Sequence, residues 1–319
     1  MDLAALQQQN TWVLSAAFAA AAVFGFIAQR THFCTMGAVS DIVNMGSWTR
    51  MRMWAAAVAV AMIGFHTLSW MGWIDPAQTI YAGSRVVWLS ALLGGTLFGV
   101  GMVLASGCGS KTLVRIGGGS LKALTVFFVM GFAAYATLSG VFAVLRVNTV
   151  DTVAFDMPGG AALPAWLSQV TGLGVGQTGL GMSLVVGGVL LAWALSSRDF
   201  RTPGNLLGGI GLGLAVTAMW WISGRLGFVA EHPETLESVY LATDSGRMES
   251  FSFTAPMAYT QDWLIRFSDS SNLLTIGVVA VGGVVLGSFL QSLLDRSFHW
   301  EGFRGTQDTA LHLGGAALM

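Results

Sequence analysis

The sequence predicts an all-α fold, a polytopic membrane helical bundle arranged as a pseudo-twofold inverted repeat with short re-entrant helices. Three observations lead there. Of the 319 residues, 54% are hydrophobic and only 10% charged, with a mean hydropathy of +0.67; a soluble domain carries about 25% charged residues. The apolar windows are long enough to cross a bilayer. The two cysteines each follow such a window at a predicted helix break, and several motifs recur on spans of opposite direction. The net charge of −1, with two lysines against thirteen arginines, excludes a polybasic nucleic-acid binder.

A helix crossing the hydrocarbon core needs about 20 mostly apolar residues. Windows free of charge run from Leu3 to Gln29, Met53 to Ile74, Val86 to Ser110, Ala123 to Leu145, Met157 to Ser197, Thr202 to Gly224 and Ser270 to Leu294. The fifth exceeds one span. Pro158, Pro164 and the glycines up to Gly174 predict a loop first, then a helix from about Val175 to Leu195. That makes seven spans and the beginning of an eighth at Leu311. With the N-terminus outside, the inner loops hold Arg30, Arg50, Arg52, Lys111, Arg115, Lys122, Arg198, Arg201, Arg296 and Arg304, ten of the fifteen bases. This orientation satisfies the excess of Lys and Arg in cytoplasmic loops. The first window has no basic n-region and no cleavage site, so it is a span rather than a signal peptide. The acidic stretch from Leu226 to Asp269 reads as a partly ordered outer loop.

Between the first two spans, Arg30-Thr-His-Phe-Cys-Thr-Met-Gly-Ala-Val-Ser-Asp41 is too long for a tight turn and too apolar for a free loop. A short re-entrant helix fits, because irregular backbone at membrane depth is tolerated where it lines a cavity. Ser106-Gly-Cys-Gly-Ser-Lys-Thr-Leu-Val-Arg115 repeats the situation after the third span, where Gly107 and Gly109 break the helix and Ser110 is placed to cap the next one. Gly-Gly-x-x-x-Gly occurs at Gly94, Gly208 and Gly282; each copy taken alone is ordinary small-residue helix packing. Arg30-Thr-His-Phe33 closes an inward span and Arg225-Leu-Gly-Phe228 an outward one. Gly94-Gly-Thr-Leu-Phe and Gly314-Gly-Ala-Ala-Leu-Met319 likewise open spans of opposite direction. Inverted repeats place substrate sites near the midplane at broken helices. The expected division is residues 1–150 as the first half, with four spans and two re-entrant segments. Residues 151–319 form the second, with three spans and an incomplete eighth.

Cys34 and Cys108 are the only cysteines. Their plain reading is as small buried hydrophobes. A disulfide is disfavoured toward the cytoplasmic side. No ligand spacing links them to His32 or His66 for zinc, and no cofactor motif is present, so neither metal nor cofactor is expected. A neutral thiol is a weak donor and a soft acceptor suited to a sulfur-bearing ligand, and half-helix N-termini beside Lys111 and Arg115 favour an anion. Arg30, Arg50 and Arg52 read as topology markers, and Asp41 as a partner of Arg30 or a helix cap. His66 reads as hydrogen-bonded structure.

At these residues a family resemblance emerges. Gly25-Phe26-x-x-Gln29-Arg30-x-x-Phe33-Cys34-x-x-Gly37-Ala38-x-x-Asp41 resembles the first signature of the YeeE/YedE family of sulfur-compound transporters. Gly94-Gly95-x-x-Phe98-Gly99-x-Gly101-Met102-x-Leu104-Ala105-x-Gly107-Cys108, followed by Leu113-x-Arg115-x-Gly117, resembles the second. The resemblance covers nearly the whole chain. It implies a multi-pass protein of the bacterial inner membrane with a periplasmic N-terminus, taking up thiosulfate or a related sulfur anion along pore cysteines by S–H···S hydrogen bonds. It also implies a cytoplasmic TusA-like sulfur-carrier protein as partner. The candidate substrate pathway is Cys34, Cys108, Gly107, Gly109, Lys111, Arg115, Gly37 and Arg30. Family members usually continue past Gly-Gly-Ala-Leu-Met to a third pore cysteine and a last span. This sequence stops at Met319 inside that motif, so a C-terminally truncated chain is expected.

The expected function is therefore a non-enzymatic transporter for a small sulfur-containing anion, embedded in lipid and without a nucleic-acid partner. The alternative is a membrane component of a sulfur or selenium relay that acts covalently with the carrier. No Gly-x-x-x-x-Gly-Lys-Ser/Thr motif points to an ATPase.

Overall fold

In a computed structural model the described residues are 3–157, 162–233, 236–269 and 273–319. The apolar windows become helices because a backbone in lipid must satisfy its own hydrogen bonds. They are α1 (Leu3–Arg30), α3 (Thr49–Trp70), α4 (Trp88–Leu104), α6 (Leu121–Leu138), α9 (Val175–Leu195), α10 (Pro203–Leu226) and α12 (Ile276–Leu294). Among the described residues seven segments are long and apolar enough to cross a membrane, and two of these run on into short helices, α2 (Thr35–Met45) and α5 (Gly109–Gly117). The fold is thus an all-α polytopic bundle, as the sequence predicts. α13 (Thr306–Leu318) stands where the eighth span was expected to begin.

Three readings are corrected. The window from Ala123 to Leu145 is not one helix. It breaks at Ser139 and Gly140 into α6 and α7 (Val141–Asn148). The loop expected before Val175 holds α8 (Leu163–Thr171), which Pro164 opens from its first turn, where a missing N–H costs nothing; Pro158 lies outside the described residues. The stretch from Leu226 to Asp269 is more than a loop. It contains α11 (Thr254–Ile265), whose Pro256, Met257 and Ala258 are buried as it packs on α6 and α12.

The core is set by close helix crossings. α1 lies along α12 and α3 along α9 and α10. Gly283 and Gly287 of α12 face Ala21 and Ala22 of α1, and Gly208, Gly209 and Gly213 of α10 face α3 from Met53 to Val60. Small residues let the backbones approach and dispersion contacts accumulate. The third copy differs: Gly94, Gly95 and Gly99 on α4 have open space beside them. One face of the molecule carries two small antiparallel ladders, Arg85–Val86 with Phe155–Asp156 and Phe228–Val229 with Val239–Tyr240. On the opposite face the segment after α12 bridges to the α5–α6 turn at Glu301 and Ser120.

Candidate functional site

Both cysteines are buried free thiols at the first turns of two short helices. The backbone reaches each by the same device. α1 ends in a Schellman motif, with Phe33 N–H donating to Ala28 O at 3.1 Å and His32, at φ 51°, donating to Gln29 O at 3.4 Å. α4 ends alike: Gly107 N–H donates to Met102 O at 2.9 Å, and Ser106, at φ 57°, donates to Val103 O at 3.3 Å. The chain then straightens at the cysteine, which becomes the N-cap of the next helix. Two details differ from the sequence reading. The left-handed residue at the second break is Ser106 rather than a glycine, and the cap is Cys108 rather than Ser110. Gly107 and Gly109 matter for space instead. A Cβ on Gly109 would stand 3.2 Å from Phe253, and one on Gly107 would stand 3.3 Å from the Lys111 stem.

The two junctions bring Cys34 and Cys108, far apart in sequence, near enough for their side chains to interact. Cys34 Sγ accepts the Gly37 N–H at 3.3 Å, and Cys108 Sγ meets the Ser110 hydroxyl at 3.3 Å. The N-termini of α2 and α5 therefore converge, and their unpaired N–H groups favour negative charge between them. Lys111, the third residue of α5, interacts electrostatically with both sulfurs. Among the described residues no three of His, Cys, Asp and Glu stand together as metal ligands.

The other predicted residues separate into two groups. Gly37 lies in the first turn of α2, directly below Cys34. Arg30 is exposed at the end of α1, and the acid offered to it, Asp41, pairs instead with Arg50 at 2.9 Å. Arg52 donates to Trp193 O and to Ser196, with its guanidinium 4.7 Å from the Trp193 ring centre. Arg115 is held by Glu301 at 3.3 Å, which also takes Lys122 at 3.3 Å. Lys122 is buried and reaches Asp308 at 3.0 Å as well. Burial alone would raise the Glu301 pKa, yet Arg115 and Lys122 hold it below the usual carboxylate range. Sequence reasoning missed Arg50 as a neighbour of the site, because charge position along a chain marks topology without revealing which helix faces which.

A cavity of about 790 Å³ is lined by Pro76, Thr79 and Tyr81, near the ladders in sequence, and by Thr35 and Ser110, next to the two cysteines in sequence. Its wall is aromatic. Phe24 stands 4.8 Å from Phe251 and 5.4 Å from Phe253, ring centre to ring centre, and the latter two lie parallel. His66 lines the cavity edge-on to Phe65. Glu249 occupies the extended segment that leads to Phe251, its N–H donated to Ser223 at 2.9 Å. Burial, with Asp244 adding to it, pushes its carboxyl up to about 7.

A family model described as sulphur transport matches residues 30–319. The thiosulfate transporter TsuA of Spirochaeta thermophila is 26% identical over 304 residues, which cover 84% of this chain and 88% of that protein. The thiosulfate transporter TsuA of Escherichia coli is 32% identical over 112 residues, 34% of this chain and 30% of that protein.

Proposed function

The chain belongs to the sulphur-transport family, and from that premise we propose that it carries thiosulfate or a related sulfur-containing anion across the membrane, with Cys34 and Cys108 as transient hydrogen-bonding stations. The observation that carries this reading is the meeting of the two thiols at converging half-helix N-termini below an aromatic cavity. Thiosulfate has a soft terminal sulfur and a hard, oxygen-bearing end. Neutral thiols donate weakly to the soft sulfur, while backbone N–H groups and Lys111 face the oxygens. Because each contact is weak, the anion can leave as well as enter, which conduction requires. No covalent bond to sulfur is needed, and the role is not enzymatic.

The remaining pathway residues have distinct parts in this reading. Gly37 leaves room for Arg50 and Gly107 for the Lys111 stem, Gly109 seats α5 against Phe253, and Arg115 holds the end of α5. Arg30 marks the inner face. Ten of the fifteen bases lie on the loops assigned inside, which supports a periplasmic N-terminus; the bacterial inner membrane is what the family resemblance implies. Residues 1–150 and 151–319 are the two inverted halves. The inner face hands the anion to a TusA-like carrier protein.

Uptake of labelled thiosulfate by cells expressing the protein tests the proposal. Cys34→Ala and Cys108→Ala are each expected to lower uptake at least about tenfold, the loss of one desolvated hydrogen-bonding station. Unchanged uptake in both variants would end the cysteine role. A persulfide found on either thiol by mass spectrometry would move the reading to a covalent relay.

A further inference from the structure

On α5 the cation beside the thiols belongs to the half-helix itself: Cys108 is the N-cap and Lys111 the third helical residue. On α2 the matching third position after Cys34 is Gly37, which has no side chain. Its space is nevertheless filled by a cation. A Cβ on Gly37 would stand 2.5 Å from Nη1 of Arg50, which reaches over from the first turn of α3.

The way Arg50 is held matters as much as its place. Asp41 is buried one turn further along α2, on the same face as Gly37. Its Oδ2 lies 2.9 Å from Arg50 Nε in an ion pair. A guanidinium has five N–H donors in a rigid fork, so engaging Nε leaves the Nη edge, the edge over Gly37, for another acceptor. The side chain of Arg50 is 39% exposed while that of Asp41 is 10% exposed. The pair is thus anchored at one end and accessible at the other. Arg50 also interacts electrostatically with His32 and Lys111, and its Nη1 and the Cys34 Cβ border the same space over Gly37.

We infer that Arg50 is the second cationic holder of the substrate at the cysteine pair, lent by α3 to a half-helix that lacks its own, and that Asp41 is its positioning residue. The ligand is a small divalent oxyanion with a soft sulfur end. Its oxygens bridge Arg50 Nη and Lys111 while the sulfur meets the thiols. The inference rests on the thiosulfate reading and adds a residue to it. It also gives Gly37 a reason to be glycine: a methyl there displaces the guanidinium.

The experiment combines uptake kinetics with anion binding to the purified full chain in detergent, followed as the shift of thermal midpoint with thiosulfate and with sulfate. A charge-assisted hydrogen bond supports about 10- to 100-fold in affinity. Arg50→Gln is therefore expected to raise KM for thiosulfate by about that factor, with Vmax and the yield of folded protein little changed. Its anion-induced thermal shift is expected to disappear. Asp41→Asn is expected to act in the same direction and less, since the amide keeps the side chain's shape beside the guanidinium and loses only its charge. A merely structural pair would lower the unliganded midpoint equally in both variants and leave KM alone, which would overturn the inference. If Arg50→Gln does not fold, Gly37→Ala keeps both charges and decides: weakened binding supports the inference, wild-type binding overturns it. Wild-type protein that binds neither anion also overturns it. Wild-type protein that binds thiosulfate through Arg50 but does not transport it leaves the inference standing and removes the transport reading.

Discussion

At the α4–α5 junction the half-helix brings its own cation to the thiol, whereas at the α1–α2 junction the cation comes from a neighbouring helix. The two backbones are otherwise alike. Each has a left-handed residue two positions before the cysteine, a Schellman closure and the cysteine as N-cap. What surrounds them is not alike. α5 is fixed on several sides: Ser292 donates to Gly117 O at 3.2 Å, His299 N–H to Gly118 O at 3.2 Å, and Arg115 is tied to Glu301. α2 packs chiefly against α3, and its closing Gly46 has open space around it. The difference teaches that one station is built rigid and the other depends on the placement of α3. A movement of α3 that changes the Arg50 contact alters the first station without touching the second.

The same substitution at the two helix ends breaks this comparison most strongly. Gly117→Ala places a methyl against the α12 backbone, 2.6 Å from Val285 O and 2.7 Å from Phe289 N. Backbone cannot swing aside as a side chain can, so about 2–3 kcal/mol of destabilisation is expected. Gly46→Ala meets nothing and incurs only the strain of φ 65° on an alanine, about 1 kcal/mol. Thermal unfolding of the purified variants measures both. Equal losses would mean that α5 is no more tightly seated than α2.

Unfastening α5 from its far end sharpens the comparison at a smaller scale. Glu301→Gln deprives the buried Lys122 of one of its two carboxylates and Arg115 of its partner. Breaking a buried pair costs about 3–5 kcal/mol. Glu301 is a quarter exposed and Asp308 remains, so about 1–2 kcal/mol is expected here. The pH dependence has a definite sign. Asp308 is held low by the Arg304 N–H and by Lys122, and Glu301 is also depressed despite its burial. Groups depressed on folding add stability that is complete above their unfolded pKa, about 4. That stability is lost as pH falls through the lower folded value. The thermal midpoint of the wild type is expected to drop between pH 5 and lower values, and that of Glu301→Gln to drop less. Parallel pH profiles would remove Glu301 from the fastening.

How far all this was legible in the chain depends on the kind of interaction. Spans were legible because crossing hydrocarbon demands a length and a composition, and the window read as Val175 to Leu195 is α9. The two short helices were legible because small polar residues and a cysteine interrupt apolar runs. α11 was not. Its residues sit in an acidic stretch that includes Asp262, and only packing on α6 and α12 buries Pro256, Met257 and Ala258. Arg50 was hidden for a related reason. As one of several bases on an inner loop it satisfied a topological rule, and the rule carries no information on which helix turn it faces. The glycine-rich composition around Cys108 marks the break but not its cause, because the left-handed turn rests on Ser106.

That last point gives the smallest and cleanest comparison. His32 and Ser106 each hold a left-handed backbone that glycine adopts without a Cβ clash. Replacing either by glycine removes that strain from the folded state while adding freedom to the unfolded chain, and the two effects oppose. A net gain of about 0.5–1 kcal/mol per site is expected, because the left-handed position of a Schellman motif is where glycine is preferred. The side chains are both exposed, so little packing is lost with them. The two gains should match, since the Schellman closures are the same in kind. Thermal midpoints of His32→Gly and Ser106→Gly read the result. A gain at one site and a loss at the other would mean that the residue showing the loss makes an interaction of its own at the thiol pair. For His32 that interaction would not be charge pairing, since Lys111 and Arg50, the cations near it, repel an imidazolium.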